Sequence, residues 1–376
     1  MELFEYAGTV ESMLEKRARA ARQPLGGTME LLPLCNMNCR MCYIRLSRKQ
    51  METQGRMLSC DEWLHIAEEM RYAGVLFLML TGGEPLMYPD FERLFTELTQ
   101  MGFIITMNTN ATLMDKHMAD LIASTPIRRL NITLYGADDE TYGRLCNNPK
   151  GFTQVMRAVN LIEERGLRYG FNATIVPENF HQIQQLFDIA NAHHVKMDAV
   201  DYMFPPMRKE GMNVESFVRL SPAESVEARF HEILARNPRV TPRMIAVNYL
   251  RKTGHYDAEE MAHLEGPNCS AGRSGFWINW KGELMACGMI TEPRISLLEH
   301  PFKESWAFVT EGTKRIKRCK KCDECSFAGL CPSCTAACLT ETGSTDGCPE
   351  YLCQRTRELV RSCKEILETT KGEYDL

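Results

Sequence analysis

Short apolar segments alternate with longer segments of helical period between residues 28 and 205, and this alternation constrains the fold more than any other feature. Six strands are predicted here, at about 28–34, 75–80, 103–108, 129–134, 170–176 and 199–204. Strands that alternate with helices form βα units, which build a parallel sheet or barrel. The sequence therefore predicts an α/β fold that binds ligands where the loops at the carboxyl ends of the strands converge.

Two helix starts carry the pattern of a capping box, in which a serine and a glutamate three residues later satisfy free backbone amides. They are Ser59 with Glu62, and Ser221 with Glu224. Residues 351–368 also have helical period, and we expect this last helix to pack against the barrel.

The composition is that of an ordinary globular protein, with 44% apolar and 25% charged residues in a chain of 376. This length predicts two or three domains. The net charge of −5 provides no broad basic surface, which argues against binding to nucleic-acid backbone. Neither a signal-peptide core nor a stretch of about 18 apolar residues occurs, so we expect a cytoplasmic protein with no membrane partner.

Sixteen cysteines in such a chain indicate metal or cluster ligation, because they would stay reduced in the cytoplasm. Cys35, Cys39 and Cys42 follow the first strand in a CxxxCxxC spacing. Three thiolates on one loop could hold three irons of a [4Fe–4S] cluster and leave the fourth iron open. A zinc site is the alternative, although zinc knuckles are usually paired sets and no further cysteine follows until Cys60.

Together with Gly82, Gly83, Glu84 and Pro85 after the second strand, this run resembles the signature of the radical S-adenosylmethionine (SAM) superfamily. The resemblance implies a TIM-like, open (β/α)6 partial barrel over about residues 28–235. It also implies a [4Fe–4S] cluster whose open iron binds SAM. The backbone and acid of the second motif would contact the SAM amino group, with Glu84 facing the ligand.

The other candidate cofactor residues lie near the ends of later strands. Asn108 and Asn110 close the third strand, on the same rim as the cysteines. The resemblance implies that Thr133, Asn172 and Val176 contact the ribose and adenine of SAM. The alternative for Thr133 is that it only fills a β position.

Eleven of the sixteen cysteines lie from Cys269 onward, in a spacing that resembles the SPASM extension of radical SAM enzymes. The resemblance implies a small cysteine-rich domain with two auxiliary [4Fe–4S] clusters. The ligands of the first would be Cys269, Cys287 and Cys334. The ligands of the second would be Cys322, Cys325, Cys331 and Cys353.

The spacing departs from the family pattern, which places a cysteine four positions after Cys331, whereas here the next cysteine comes three positions later. The fourth ligand of the first auxiliary cluster could be Cys319 or Cys338, or the fourth iron could have no protein ligand. Cys348 competes with Cys353 for the last position of the second. Zinc-ribbon sites are the alternative for this block.

These features divide the chain into an N-terminal helical extension, the radical SAM barrel, a linker, the SPASM domain, and a C-terminal helix with its tail. Their predicted bounds are 1–27, 28–235, 236–264, 265–355 and 356–376.

Asp198, Asp201 and Tyr202 flank the sixth strand and are candidate catalytic acid–base residues, because a carboxylate at the rim could accept a proton as a substrate radical is oxidised. The alternatives are a turn cap at Asp198 and a salt bridge at Asp201. Arg208, after two prolines, could bind a substrate carboxylate.

The resemblance implies reductive cleavage of SAM to a 5′-deoxyadenosyl radical that abstracts hydrogen from a substrate, with an electron donor such as flavodoxin or ferredoxin. SPASM proteins act most often on ribosomally made peptides, so an oxidation or cross-link in a peptide is the leading hypothesis. The short segment before the first strand predicts that a separate leader-recognition protein, or the barrel mouth itself, binds the peptide. The alternatives are dehydrogenation of an aminocyclitol-like small molecule, maturation of a protein side chain, and a non-catalytic iron–sulfur or zinc scaffold.

Overall fold

Six parallel strands form the centre of the protein, in a computed structural model that describes residues 9–206, 218–252 and 265–370. They are β1 (Gly26–Glu30), β2 (Phe77–Thr81), β3 (Ile104–Thr109), β4 (Arg129–Thr133), β5 (Tyr169–Thr174) and β6 (Met197–Val200). Each strand pairs with the next in sequence, so the predicted parallel βα core is confirmed. The sixth strand ends at Val200 rather than at residue 204, because Asp201 and Tyr202 bond with elements outside the sheet.

Three further strands continue the sheet beyond β1: β7 (Gly275–Ile278), β8 (Glu283–Cys287) and β9 (Ile290–Ser296). β7 runs parallel to β1, with Gly26 beside Gly275 and Met29 beside Ile278, and the next two strands are antiparallel. The strand order is β6-β5-β4-β3-β2-β1-β7-β8-β9. Backbone pairing therefore joins the cysteine-rich region to the barrel, and the predicted domain bounds stay predictions.

Helices connect these strands and flank the sheet. Up to β6 they are Thr9–Ala21, Arg48–Gln54, Cys60–Tyr72, Phe91–Gln100, Lys116–Ser124, Asp139–Cys146, Gly151–Glu163 and Ile183–Ala192. After β6 they are Pro222–Arg236, Pro242–Arg251, Phe302–Lys314, Lys320–Asp323, Thr335–Thr342 and Glu350–Thr369. The capping boxes predicted at Ser59 and Ser221 are both formed.

Strand β4 has one apolar and one polar face. In β4, Leu130 and Ile132 are fully buried, whereas Asn131 and Thr133 are partly exposed. Because side chains alternate across a strand, the buried set packs under the helices and the polar set faces the barrel interior. The interior can therefore hold a polar ligand at the ends of the strands.

The C-terminal helix Glu350–Thr369 packs against the two helices that follow β6, as its period predicted. Its buried Leu359 and Cys363 share an apolar cluster with Phe230. In the described ranges, none of the helices is long and apolar enough to span a bilayer. Arg208, linker residues 253–264 and tail residues 371–376 lie outside the described residues.

Candidate functional site

The loop after β1 carries the first three cysteines and is fixed by backbone hydrogen bonds. The amide of Leu46 donates to the carbonyl of Pro33 at 2.9 Å, which closes the loop. The amide of Asn38 donates to the carbonyl of Cys146 at 3.0 Å, which attaches the loop to a barrel helix. Both methionines of the loop are 2% exposed, so they shield its inner side from water.

The thiols of this loop are partly exposed and accept hydrogen bonds. The Sγ of Cys35 accepts from the amide of Met37 at 3.4 Å and from Nδ2 of Asn110 at 3.5 Å. The Sγ of Cys42 accepts from the amide of Arg45 at 3.3 Å. Burial raises the pKa of Cys35 to about 12, so a bound cation would be needed to ionise it near neutral pH. Three cysteine sulfurs, two of which accept N–H···S bonds, fit an iron–sulfur cluster.

A double-glycine turn after β2 lies directly against the segment that leads into this loop. The amide of Gly83 donates to the carbonyl of Leu32 at 2.7 Å, and the amide of Glu84 donates to that of Leu34 at 3.0 Å. A Cβ atom at Gly83 would lie 2.1 Å from the Leu34 oxygen, and one at Gly82 would lie 2.4 Å from the Leu32 oxygen. Only glycine permits this approach of two backbones. The turn therefore fixes where the cysteine loop begins.

The carboxylate of Glu84 has no exposed surface and bonds within the protein. Its Oε1 accepts from Oγ1 of Thr109 at 2.6 Å and from the amide of Leu86 at 3.2 Å, while Oε2 accepts from the amide of Asn110 at 2.7 Å. Burial raises the pKa of Glu84 to about 7, although these hydrogen bonds oppose the rise. In this structure Glu84 joins the ends of β2 and β3, and its contact with the ligand stays a prediction. Pro85 is buried beside it.

Asn110 belongs to a closed network at the same rim. Its Nδ2 donates to Oδ1 of Asn36 at 2.9 Å, Nδ2 of Asn36 donates to Oγ1 of Thr112 at 2.8 Å, and that hydroxyl donates to Oδ1 of Asn110 at 2.7 Å. Sequence reasoning missed Asn36, which adjoins Cys35, and Thr112, which lies two residues after Asn110. The network orients the amide that bonds to the Cys35 sulfur.

The other predicted cofactor residues lie on adjoining strands. Nδ2 of Asn131 donates to Oδ1 of Asn108 at 2.7 Å, which joins β3 to β4. Thr133 and Asn172 are partners in the register of β4 and β5, and both are partly exposed. Val176 is fully buried, and its contact with SAM stays a prediction. The remaining contacts stay predictions.

Asp198 lies among three cations. Its carboxylate is 3.0 Å from Nζ of Lys196, 3.7 Å from the guanidinium of Arg236 and 4.0 Å from that of Arg129. The structure thus places Asp198 in an ionic cluster, and its catalytic role stays a prediction.

Asp201 and Tyr202 bond to the elements that follow the barrel. Oδ2 of Asp201 accepts from Oγ of Ser225 at 2.8 Å and from Nε of Arg355 at 3.1 Å. The hydroxyl of Tyr202 donates to Oε1 of Glu341 at 2.9 Å, and burial raises the pKa of Tyr202. The structure therefore contains the salt bridge that was the alternative at Asp201, and the catalytic roles of both residues stay predictions.

Three cysteines of the C-terminal block gather near β8. The Sγ of Cys287 accepts from the amide of Met289, and the Sγ of Cys334 accepts from that of Ala337, both at 3.4 Å. Burial raises the pKa of Cys334, and the nearby charges of Cys287 and Cys269 add to the rise. The structure thus brings together the three cysteines predicted for the first auxiliary cluster.

A second group forms around Cys322. Its Sγ lies 3.9 Å from that of Cys348, which lies 3.4 Å from that of Cys353. The sulfurs of Cys319, Cys322 and Cys348 all lie within 4.8 Å of one another. The cysteine spacing did not assign Cys319 or Cys348 to a cluster. In the structure both lie beside Cys322, which the spacing did assign.

Both groups border one cavity of about 810 Å³, which all ten cysteines from 269 to 353 line. Tyr43, the neighbour of Cys42, and Phe204 contribute to its wall from the barrel side. Arg318 and Lys321 contribute positive charge. The cavity therefore extends from the cysteine-rich region to the residue next to the first cysteine loop.

A sequence profile of the radical SAM superfamily matches residues 29–190, a span that contains the cysteine loop and the double-glycine turn. Residues 29–190 therefore form a radical SAM domain. Radical SAM proteins bind a [4Fe–4S] cluster and SAM, and the sulfur ligands of the first loop fit that cluster.

Two proteins of known activity are similar in sequence to different lengths of this chain. An AdoMet-dependent heme synthase of Methanosarcina barkeri is 25% identical over 295 residues, which cover 74% of this chain and 80% of that protein. A PqqA peptide cyclase of Granulibacter bethesdensis is 26% identical over 169 residues, which cover 45% of this chain and 44% of that protein.

Two solved structures share their fold with almost the whole of this chain. SuiB of Streptococcus suis bound to precursor peptide SuiA has a TM-score of 0.67 at 17% identity, with 93% of this chain and 82% of that chain covered. The anSMEcpe protein with bound AdoMet and Kp18Cys peptide has a TM-score of 0.63 at 15% identity, with coverages of 93% and 99%. This coverage includes the cysteine-rich region, as expected for a SPASM-type extension.

Proposed function

We propose that this radical SAM enzyme cleaves SAM at a cluster held by Cys35, Cys39 and Cys42, and that it modifies a ribosomally made peptide by oxidation or cross-linking. One observation carries the SAM part of the proposal: the cysteine loop and the Gly82–Pro85 turn are hydrogen-bonded to each other at the same rim. Both motifs of the superfamily are therefore assembled at one place.

The chain's own residues hold, orient and shield the reacting groups. When bound, the first cluster and SAM supply a hydrogen-abstracting radical, and auxiliary clusters supply an electron acceptor. Asn110 orients Cys35 through its N–H···S bond, and the two buried methionines of the loop exclude water. Backbone groups of the Gly82–Pro85 turn are proposed for the SAM amino group.

The polar faces of the middle strands are proposed for the rest of SAM. Asn108, Thr133 and Asn172 lie on adjoining strands with partly exposed side chains. Such side chains can pair with the hydroxyls and ring nitrogens of a nucleoside. A flavodoxin or ferredoxin is the proposed electron donor.

A peptide substrate is supported by two kinds of relative. PqqA peptide cyclases match about half of the chain, and the fold is shared with SuiB in complex with a precursor peptide. A separate leader-recognition protein is part of this proposal. A tetrapyrrole or other small molecule is the second candidate, because the heme synthases match 74% of the chain.

The first experiment measures 5′-deoxyadenosine from SAM after anaerobic reconstitution and reduction. Wild-type protein should release it, and Cys35→Ala, Cys39→Ala and Cys42→Ala should each abolish release because an iron loses its ligand. Cys60→Ala is the matched control, since Cys60 is 2% exposed in a helix outside the loop. No release from wild type, or full release from the loop variants, would contradict the proposal.

The second experiment separates the two substrate classes. Reduced enzyme is incubated with the small peptides encoded beside its gene, and separately with iron coproporphyrin III. A peptide mass change that depends on SAM supports the peptide. A change only in the porphyrin absorption spectrum supports the tetrapyrrole.

A further inference from the structure

A run of basic residues lies within the cysteine-rich region, and no step of the proposed reaction uses it. Residues 314–321 contain six basic side chains and no acid, in a chain whose net charge is −5. The three acids nearest to the run in sequence are Glu311, Asp323 and Glu324. The run therefore stays positive even when these acids are counted against it.

The run alternates between side chains that anchor it and side chains that face solvent. Ile316 packs in an apolar cluster with Met289 and Ile290, and Cys319 is 4% exposed. Both residues hold the run against the protein. The exposed side chains between and beyond them are Arg315, Lys317, Lys320 and Lys321.

Ion pairs within the protein account for the other two cations of the run. Lys314 pairs with Glu311, and Arg318 pairs with Asp323 at 3.1 Å. In the parts of the chain that the structure describes, none of the four exposed cations takes part in an ion pair. Their charge is therefore available to a partner.

A basic residue can also stabilise the end of a helix, where free carbonyl groups carry partial negative charge. The helix Phe302–Lys314 ends just before Arg315, which caps it. This effect falls off within the last turn, so it explains Lys314 and Arg315. It does not explain the exposed cations from Lys317 onward.

The exposed cations surround two thiols of the cysteine-rich region. Cys319 lies between Lys317 and Lys320 in sequence, and Cys322 directly follows Lys321. Lys321 also lines the cavity that the cysteines border. A protein that docks on this surface would thus come close to these thiols.

We propose that Arg315, Lys317, Lys320 and Lys321 form the docking surface for the electron donor, a flavodoxin or ferredoxin with an acidic face. Complementary charges guide two proteins together and orient them. Redox complexes bury small interfaces, so a few charges can dominate their association. The inference rests on the proposed function for the identity of the donor.

The first test compares a protein reductant with a chemical one. The variant Arg315→Glu/Lys317→Glu/Lys320→Glu leaves the cavity residue Lys321 unchanged. With limiting reduced flavodoxin of net negative charge, its rate of 5′-deoxyadenosine formation should fall at least about tenfold, because electrostatic steering raises association rates by about 10–10³. With saturating dithionite the rate should equal that of wild type, because a small reductant needs no docking surface.

The matched control reverses three exposed cations elsewhere, Lys16, Arg17 and Lys116, and so has the same net charge as the variant. It should keep the wild-type rate with flavodoxin, because charges farther away than about 8 Å are largely screened at physiological ionic strength. A wild-type rate with flavodoxin in the docking variant would overturn the proposal. An equal fall with both reductants would also overturn it, because the cations would then serve the thiols rather than a partner.

Cross-linking tests the surface without turnover. Carbodiimide joins lysine amines to carboxylates in contact, so wild type mixed with flavodoxin should give cross-links through Lys317, Lys320 or Lys321, as mapped by peptide mass. These cross-links should disappear in 1 M salt, which screens charges within about 3 Å. Cross-links confined to other lysines would overturn the assignment. Failure of the proposed SAM chemistry would instead silence wild type with both reductants, and the cross-links would still decide the docking surface.

Discussion

Replacing Gly83 with alanine tests whether contact between the glycine turn and the cysteine loop governs the first site. The new Cβ would lie 2.1 Å from the Leu34 oxygen and 2.4 Å from its carbonyl carbon, so one backbone must move. We expect about 1–3 kcal/mol from overpacking and about 1 kcal/mol from each of the two backbone hydrogen bonds that the move disrupts. The free energy of unfolding should therefore fall by about 3–5 kcal/mol.

The assay is urea unfolding of cluster-free protein, followed by iron content after reconstitution. Gly143→Ala is the control, because its Cβ would lie 3.6 Å from Pro149, an ordinary contact, within the helix Asp139–Cys146. This control should be more stable by roughly 0.5–1 kcal/mol, since alanine favours a helix over glycine. If Gly83→Ala matches wild type in both stability and iron content, close backbone contact does not position the loop.

Three further outcomes are expected. Arg355→Ala should lower the free energy of unfolding by about 3–5 kcal/mol, because it leaves the largely buried carboxylate of Asp201 without its cationic partner. Arg361→Ala, in an exposed pair, should cost much less, and equal losses in urea titrations would contradict this. Burial raises the pKa of Glu84 from 4.5 to about 7, so its contribution to stability is complete below pH 4.5 and is lost as the pH rises through 7. Glu84→Gln should therefore make the free energy of unfolding depend less on pH in urea titrations across that range. An unchanged pH dependence in the variant would argue against this. Asn110→Ala should make the midpoint potential of the first cluster more negative, because the N–H···S bond to Cys35 is lost. A redox titration followed by electron paramagnetic resonance measures this potential, and an unchanged potential would contradict the prediction.

The parallel barrel strands were predictable because their apolar runs are continuous and bounded by helices with clear start signals. The shift at the sixth strand was not, because Asp201 and Tyr202 bond to Arg355 and Glu341, which lie far away in sequence. The pairing of β1 with β7 was not predictable for the same reason, because these two strands also lie far apart in sequence. Sequence alternation can locate a strand, but its neighbour in space depends on the whole topology.

At the site, the spacing of cysteines in the sequence was enough to group residues that lie on one loop. It was not enough where residues from several segments come together. The first three cysteines lie within eight residues, so their shared role was evident. Glu84 was selected from its motif alone, but its hydrogen bonds depend on Thr109 and Asn110 from the end of the next strand. Cys319 and Cys348 come from separate turns, and no local pattern relates them.

The pairing of β1 with β7 has a consequence for how the protein is made. Residue 26 is synthesised long before residue 275, so one edge of β1 has no partner while the rest of the barrel emerges from the ribosome. An unpaired edge strand can pair with another chain, which exposes nascent and truncated forms to aggregation. The first cysteine loop follows that same strand, so its surroundings are complete only after the start of the cysteine-rich region has been translated.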